Sequence, residues 1–509
     1  MQISLDRSKP IPLATQIRLH LERLIREGLL PPGVKLPASR ELAGALGVNR
    51  GTVSLVYEEL VASGLVRARV GQGTFVAGDG RGPGPEPKPS PPVQIDWSGL
   101  FSKSSQLLIA DSRRRELHGQ GIRPTAGVIS FAGGMPDSRL FPTEAFRKVL
   151  NRVIRAEGAE LLQYYPVGGY PSLRRFLSSY LLRFGVEARP EEILIVNGSQ
   201  QGFDLIARTL LDPGDFVAIE EPTYPRAIQA FRSFGAQLLP VPLHEGGLRL
   251  DLLEQILERR TAKLLYCQPS AHNPTGLSMP APARRRLLEL ARRFQIPVVE
   301  DGFDGSLFYG ERPPPPLKAE DPTGLVLYIG TFSKILFPGL RLGWLVASPP
   351  VLERLEAAKQ LADLHTSPLI QAAVYHFCRH RLLERHLRLT AAEYGRRRAR
   401  LLRSLKERMP AGVTWTGVQG GFSLLLTVPE GIDTEALLPR AWDRGVAFTP
   451  GSAFFVDGGG EPALRLSFSG VPVSKIDEGV RRLAGAIAEM LKRPRSRSRR
   501  EAAAGPPLV

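Results

Sequence analysis

Seven short aliphatic runs recur between residues 193 and 347, each separated from the next by a stretch with helical spacing. They are ILIVNG (193–198), FVAIEE (216–221), QLLPVP (237–242), KLLYCQ (263–268), IPVVED (296–301), LVLYIG (325–330) and RLGWLVA (341–347). Runs rich in Val, Ile and Leu without polar alternation suit strands buried on both faces. Such strands, alternating with helices, build a mostly parallel sheet covered on both sides. Helical and mixed patterns follow from residue 350 to 492 and predict a smaller α+β part after the large one. The expected fold is a multi-domain chain whose main body is α/β, with a mostly parallel seven-stranded sheet and a smaller C-terminal α+β subdomain.

Composition divides the rest. Residues 1–77 form a compact block with apolar periodicity of its own. Residues 78–92, GDGRGPGPEPKPSPP, hold too little apolar surface to order themselves, so 78–125 reads as a linker and connecting segment with one amphipathic stretch, Ser104 to Leu117. The body then occupies 126–492, and RPRSRSRREAAAGPPLV (493–509) is a basic, low-complexity tail expected to be disordered. The two cysteines, Cys267 and Cys378, match no zinc or disulfide spacing, which suits a reducing compartment. No apolar run reaches the length of a membrane span, and the first residues lack the apolar core of a signal peptide; the expected location is the cytoplasm. A net charge of +17 favours a polyanionic partner, because Lys and Arg that neutralise phosphates release counterions.

In the N-terminal block, Ile11, Leu13, Ile17, Leu21, Leu24 and Ile25 recur at helical spacing and predict a first amphipathic helix ending at Gly28. Ser39 can cap a short second helix that Gly47 closes, and Asn49 can cap a third, whose apolar residues are Val53, Val56, Tyr57, Leu60 and Val61. LVRARV and TFV flank Gly71-Gln72-Gly73 as a hairpin. Helices two and three with a short turn make a helix-turn-helix, and the hairpin makes a wing. That geometry puts the start of the third helix in the major groove, where Arg50 can fork onto a guanine or a phosphate and Thr52 can donate to a phosphate. Arg40 opens the second helix, and Gly73, without a side chain, can approach the minor groove. Taken alone, three helices with surface arginines could equally be a plain helical subdomain. The segment LPASRELAGALGVNRGTVSLVYEELVASGLVRARVGQGTFVA, however, closely resembles the winged helix-turn-helix of the GntR superfamily, which implies Arg40, Arg50, Thr52 and Gly73 as DNA contacts.

In the body, Thr331-Phe332-Ser333-Lys334 follows a buried run and precedes PGLRLGW with Arg341. Lys334 there can form a Schiff base with an aldehyde cofactor, while Thr331, Ser333 and Arg341 can hold a phosphate. Asp301, ending IPVVED, can pair with a protonated pyridine nitrogen; Asn273, in HNPTG, can donate to a phenolic oxygen. Gly198-Ser199-Gln200-Gln201 lies between a strand and a helix, where backbone amides and Ser199 can cradle a phosphate. Tyr224 is placed to stack on a flat ring, and Arg465 to bind a carboxylate. Singly, Asp301 could be a helix cap, HNPTG a turn and Arg465 part of a structural ion pair. Together they stand at carboxyl ends of strands, where open α/β sheets place ligands.

This set resembles the fold-type-I pyridoxal-phosphate enzymes, and residues 126–490 resemble class I/II aminotransferases. The resemblance implies pyridoxal 5'-phosphate as cofactor, held by Ser199, Gln200, Tyr224, Asn273, Asp301, Thr331, Ser333 and Arg341 around Lys334. It extends to YYPVGGYPSLR, where Tyr164 matches a tyrosine that reaches the cofactor phosphate of the partner subunit, and to FAGGMPDSRLFP, where Gly134 lies near the substrate carboxylate. A homodimer follows, with DNA-binding heads that can be swapped between subunits. A GntR-type head on an aminotransferase-like body resembles the MocR (GabR-like) regulators, which implies effector binding by Arg465 and Arg226; Arg226 could equally be a surface residue. The pattern departs from the family at Phe303, which stands where a tyrosine usually donates to the cofactor's phenolic oxygen. Phe303 cannot donate, which favours a sensor of an amino acid, an amine or the cofactor itself. HNPTG is the form usual in working aminotransferases and favours the alternative, an active enzyme with an accessory DNA-binding head.

Overall fold

A computed structural model describes residues 3, 5–7, 11–69, 71–78, 95, 97–102, 105–106, 127–302 and 307–492. Most of the linker, all but two residues of the Ser104–Leu117 segment, Phe303 and the 493–509 tail lie outside the described residues. The chain forms two compact units, residues 1–99 and 100–509.

In the first unit, α1 (Leu13–Arg26) buries Ile17 and Leu21. Helix α3 (Arg50–Ala62) buries Val53, Val56, Tyr57 and Leu60, an i, i+3, i+4, i+7 stripe. Between them, α2 (Ser39–Leu46) ends on Gly47 in the left-handed region, φ 62°. Leu36, Leu42, Val66 and Val76 join these side chains in one core. Ile11 and Val61, expected inside, are exposed. Asn49 caps α3, its side chain accepting from the Gly51 amide at 2.8 Å. Ser39 is not a cap: it is the first residue of α2, and Ala38 holds the cap position without a side-chain bond. The chain leaving Pro37 turns helical one residue earlier than expected, with the Leu42 amide donating to the Ala38 carbonyl. The wing is β1 (Val66–Arg69) antiparallel to β2 (Gly73–Val76).

The second unit opens with β3 (Ile129–Ser130) and is built on one large sheet. Its strands are β4 (Ile193–Val196), β5 (Phe216–Glu221), β6 (Gln237–His244), β7 (Gly247–Leu248), β8 (Ala262–Cys267), β9 (Val298–Asp301), β10 (Val326–Thr331) and β11 (Gly343–Val346). They lie in the order β4-β11-β10-β9-β8-β5-β6-β7. All seven aliphatic runs are strands of this sheet. The sheet is mostly parallel, as expected, with two details added. A two-residue strand, β7, hairpins back on β6 to make eight, and β11 is antiparallel to both β10 and β4. The reason for the second lies in the connection: residues 332–342 carry two single-turn helices and no long crossover helix, so the chain returns in the opposite direction.

Alternate residues of the strands enter different cores, so both faces are covered. Val217, Ile219, Tyr266, Val299, Leu327 and Ile329 pack on one side; Ala218, Leu265, Cys267, Val298 and Val326 pack on the other. Cys267 and Cys378 are both buried and unbridged. The smaller part pairs β12 (Thr414–Trp415), β13 (Ser423–Thr427), β15 (Thr449–Pro450) and β16 (Ala463–Ser467) antiparallel, while β14 (Val446–Ala447) joins β3. Among the described residues no helix is long and apolar enough to cross a membrane.

Candidate functional site

The register brings the chemistry to one end of the sheet, where β4, β9 and β10 finish. Asp301 ends β9 opposite Ile329, Thr331 ends β10 opposite Gly343, and Gly343 pairs with Val196 just before the Gly198–Ser199 turn. A narrow cavity at this end is lined by Ser199, Tyr224, Gln268, Asn273, Asp301, Thr331, Lys334 and Arg465. It shares Gly134, Tyr224, Asn273, Lys334 and Arg465 with a larger cavity of about 970 Å³, whose wall also includes Arg226.

Lys334 lies on the single helical turn Phe332–Ile335, which Thr331 caps by accepting from the Ser333 amide at 3.1 Å. Its Nζ donates to the Gly134 carbonyl at 3.0 Å. Burial and the nearby Arg465 charge bring its pKa down to about 8, against an opposing pull from Asp301. Near neutral pH the uncharged amine is therefore on the order of a hundred times more abundant than in a free lysine. Asp301 accepts from the Tyr266 hydroxyl at 2.9 Å and from Gln268 Nε2 at 2.6 Å. Burial nevertheless pushes it up to about 6, so this floor carboxylate gains most from a cationic partner.

Arg465 sits on β16, 8 % exposed, and reaches across to the loop after β3. Its Nη2 donates to the Ala132 carbonyl at 2.8 Å, to the Gly133 carbonyl and to Thr449 Oγ1 at 3.1 Å, and its Nη1 to Asn273 Oδ1 at 3.2 Å. Its Nε is buried without a hydrogen-bond partner, and no carboxylate among the described residues pairs with it. Burial lowers its pKa to about 10. A buried guanidinium with neutral partners alone is costly and favours an anion beside it. Gly134, at φ +140°, packs against it: a Cβ there would meet Arg465 Nη1 at 3.4 Å. The loop carrying Gly134 is tied down by Asp137, which pairs with Arg397 Nη2 at 2.9 Å, and by Ser469 Oγ, which donates to the Met135 carbonyl at 2.7 Å.

Ser199 begins the helix Ser199–Leu210, with Gly198 before it at φ 82°. A Cβ on Gly198 would lie 3.0 Å from Arg341 Nη2, which itself donates to the Asn197 carbonyl at 2.9 Å. Ser333 is half-buried; Gln200 is exposed and lines neither cavity. Tyr164 is 82 % exposed and meets the His365 ring at 5.9 Å between centroids; it lines neither cavity. Sequence reasoning missed Gln268, which holds both Asp301 and the Asn273 amide, Lys359 and Asp363 beneath the Gly198 turn, and the side-chain role of Gln201, named only for its place in the cradle.

The donor set fits pyridoxal phosphate. A half-buried amine of lowered pKa, a floor carboxylate in need of a cation, a helix start with a hydroxyl and a neighbouring guanidinium, and a buried arginine without a carboxylate partner among the described residues are the features its aldehyde, ring nitrogen, phosphate and amino-acid adducts require.

In the first unit Arg40 and Arg50 are exposed at the starts of α2 and α3, and neither pairs with a carboxylate among the described residues. Thr52 is half-buried in the first turn of α3. Gly73 begins β2 at φ +113°, where a Cβ would strike Lys35 Cε at 2.7 Å. Lys35 and Arg69 both lie over the Phe75 ring, at 6.0 and 5.6 Å from its centre, and add cations to the wing that the sequence reading had not singled out.

Comparison with known proteins matches this division. Residues 13–76 fit the model for bacterial regulatory proteins of the gntR family, and residues 127–483 the model for aminotransferase class I and II. Aromatic-amino-acid aminotransferase 1 of Thermococcus litoralis is 38% identical over 405 residues, 78% of this chain and 96% of its own. A probable rhizopine catabolism regulatory protein, MocR, of Rhizobium meliloti is 30% identical over 484 residues, 95% of each chain. The crystal structure of LysN, an alpha-aminoadipate aminotransferase of Thermus thermophilus complexed with N-(5'-phosphopyridoxyl)-L-leucine, superposes with a TM-score of 0.72 at 40% identity, covering 78% of this chain and 99% of that one. The chain therefore belongs to the class I and II aminotransferase family and carries a gntR-family DNA-binding domain ahead of its pyridoxal-phosphate body.

Proposed function

We propose that this chain is a pyridoxal-phosphate-dependent transcriptional regulator that binds an operator in double-stranded DNA and senses an amino acid, an amine or the cofactor itself at Lys334. The observation that carries this reading is the pairing, in one chain, of two features. Arg40 and Arg50 stand exposed on a helix-turn-helix, and a half-buried amine shares a cavity with a buried guanidinium that, like them, pairs with no carboxylate among the described residues. Residues 1–77 form the DNA-binding domain, 78–125 the linker, 126–492 the cofactor domain and 493–509 a basic tail. A regulator of this kind works in the cytoplasm.

Bound pyridoxal phosphate supplies an aldehyde that condenses with amines and a ring that withdraws electrons. The chain's own groups do the rest. Lys334, with its pKa brought down to about 8, supplies roughly a tenth of its amine in the neutral form at neutral pH. Asp301, locked by Tyr266 and Gln268, holds a proton on the ring nitrogen. Asn273 keeps its amide hydrogens for the phenolic oxygen, because its Oδ1 is occupied by Arg465. Tyr224 covers the ring. Ser199, Thr331, Ser333, Arg341 and the amides of Ser199 and Gln200 take the phosphate. Arg465 takes the carboxylate of an amino acid, with Arg226 at the cavity wall for a second one. Tyr164, exposed in its own chain, serves the phosphate of the partner subunit in a homodimer. The site also retains what a second reading needs: Gln268 Oε1 accepts from the Asn273 amide at 3.1 Å and keeps HNPTG in place, as in an active aminotransferase.

The test is a gel shift on the intergenic DNA upstream of the protein's own gene, with wild type and Lys334→Ala, each with and without pyridoxal phosphate. A specific shift that responds to cofactor only in the wild type is expected. No specific shift under any condition, together with steady turnover of amino donors with a keto acid, would replace the regulator by the enzyme.

A further inference from the structure

Beneath the Gly198 turn lies a charged pair that touches neither cavity. Lys359, on the last turn of the helix Pro349–Asp363, is 0% exposed. Its Nζ lies 2.7 and 2.8 Å from the two Asp363 oxygens and 3.3 Å from Gln201 Oε1. Asp363 Oδ2 in turn accepts from Gln201 Nε2 at 2.8 Å and from Asn197 Nδ2. Gln201 Oε1 also accepts from the Asn197 amide at 2.7 Å. Asn197 is thus held through its amide, its side chain and, by Arg341, its carbonyl. It is the residue that sets where Gly198 and Ser199 point.

We infer that Lys359 and Asp363 are positioning residues for phosphate recognition: Asp363 fixes the Asn197–Ser199 turn through Asn197 and Gln201, and Lys359 cancels the carboxylate charge that would otherwise repel a phosphate dianion one layer away. Asp363 is only 19 % exposed, and an unneutralised carboxylate there still acts over several ångströms, within a Debye length. Lys359 thereby makes a carboxylate usable as a structural clamp next to an anion site. The inference rests on the reading that the turn holds the cofactor phosphate.

The experiment titrates the full-length apoprotein with pyridoxal phosphate and, separately, with pyridoxal, which has the same ring and aldehyde but no phosphate. Binding is followed by absorbance of the lysine-bound chromophore. The quantity read is the preference for the phosphorylated form. Removing a group that orients a ligand-holding neighbour costs on the order of tenfold in affinity. Lys359→Met is therefore expected to lower the preference about tenfold and leave pyridoxal unchanged. The double variant Lys359→Met, Asp363→Asn removes the stranded charge and is expected to regain most of the loss. Gln201→Leu cuts the link without changing charge and is expected to lower the preference too, so the idea stays testable if Lys359→Met does not fold. Equal losses for both ligands, an unchanged preference, or a double variant no better than the single one would overturn the pair's role. A wild type with no preference for the phosphorylated form would instead sink the reading of the turn as a phosphate site.

Discussion

At the scale of single residues the site works by placing charges where water cannot serve them. Lys334 is brought to about 8 mainly by burial, then by Arg465. Only its neutral form can attack an aldehyde, so the rate of cofactor capture is expected to rise as pH rises through about 8 and to level off above it. Asp301 raises the lysine's pKa, so Asp301→Asn is expected to move that midpoint to lower pH; stopped-flow absorbance across the pH range checks both, and a rate flat from pH 7 to 9 would contradict the assignment. Lys334, Asp301, Asn273 and Arg465 were legible in the sequence because each sits in a short string at a strand end. Lys359 and Asp363 were not. Four residues apart on a helix, they read as an ordinary solvated pair, and nothing local tells that Lys359 is sealed from water against residues some 160 positions earlier. Arg465 was legible as a carboxylate binder, but the absence of any neutralising partner among the described residues is a tertiary fact.

Among the elements, type was easier to read than direction or exact ends. Every aliphatic run became a strand, since a fully buried strand advertises itself by unbroken aliphatic residues. That β11 runs against its neighbours depends on a connection too short to carry a long covering helix, which composition does not reveal. The same holds for the wing: Gly71-Gln72-Gly73 announced a hairpin, whereas the gathering of Lys35 and Arg69 on Phe75 needs the folded pairing of β1 with β2. These two groups of cations should behave differently on DNA. If Arg50, at the start of α3, forks onto a guanine, Arg50→Ala is expected to cost about 1–3 kcal/mol on the operator and to relax specificity. If Lys35 and Arg69, gathered on the wing, contact phosphates, Lys35→Ala or Arg69→Ala is expected to weaken operator and random DNA alike and to lower the slope of log K against log salt by about 1. Fluorescence anisotropy on both DNAs over a salt series separates the two patterns, and a wing variant that lost only operator binding would refute the division.

For the molecule as a whole, each of the two units has its own core, one built around Ile17, Val53 and Leu60, the other on the two faces of the large sheet. Units with separate cores need not melt together, and a ligand stabilises only the unit that binds it. Calorimetry of the apoprotein is expected to resolve two transitions, and pyridoxal phosphate at a hundred times its Kd to stabilise one of them by about 2.7 kcal/mol while leaving the other in place. Regulation demands something more, because a ligand shifts DNA binding only by as much as its own affinity differs between the two states of the protein. That difference is reciprocal by thermodynamic necessity. If an amino dicarboxylate bound at Arg465 and Lys334 strengthens operator binding by some factor, the operator must strengthen binding of that amino dicarboxylate by the same factor. Titrating the cofactor-loaded protein with the amine, with and without saturating operator, and with operator, with and without saturating amine, is expected to return one shared factor of about 5 to 150. A factor of one in both directions would mean that the body and the head of this chain share a polypeptide and no signal.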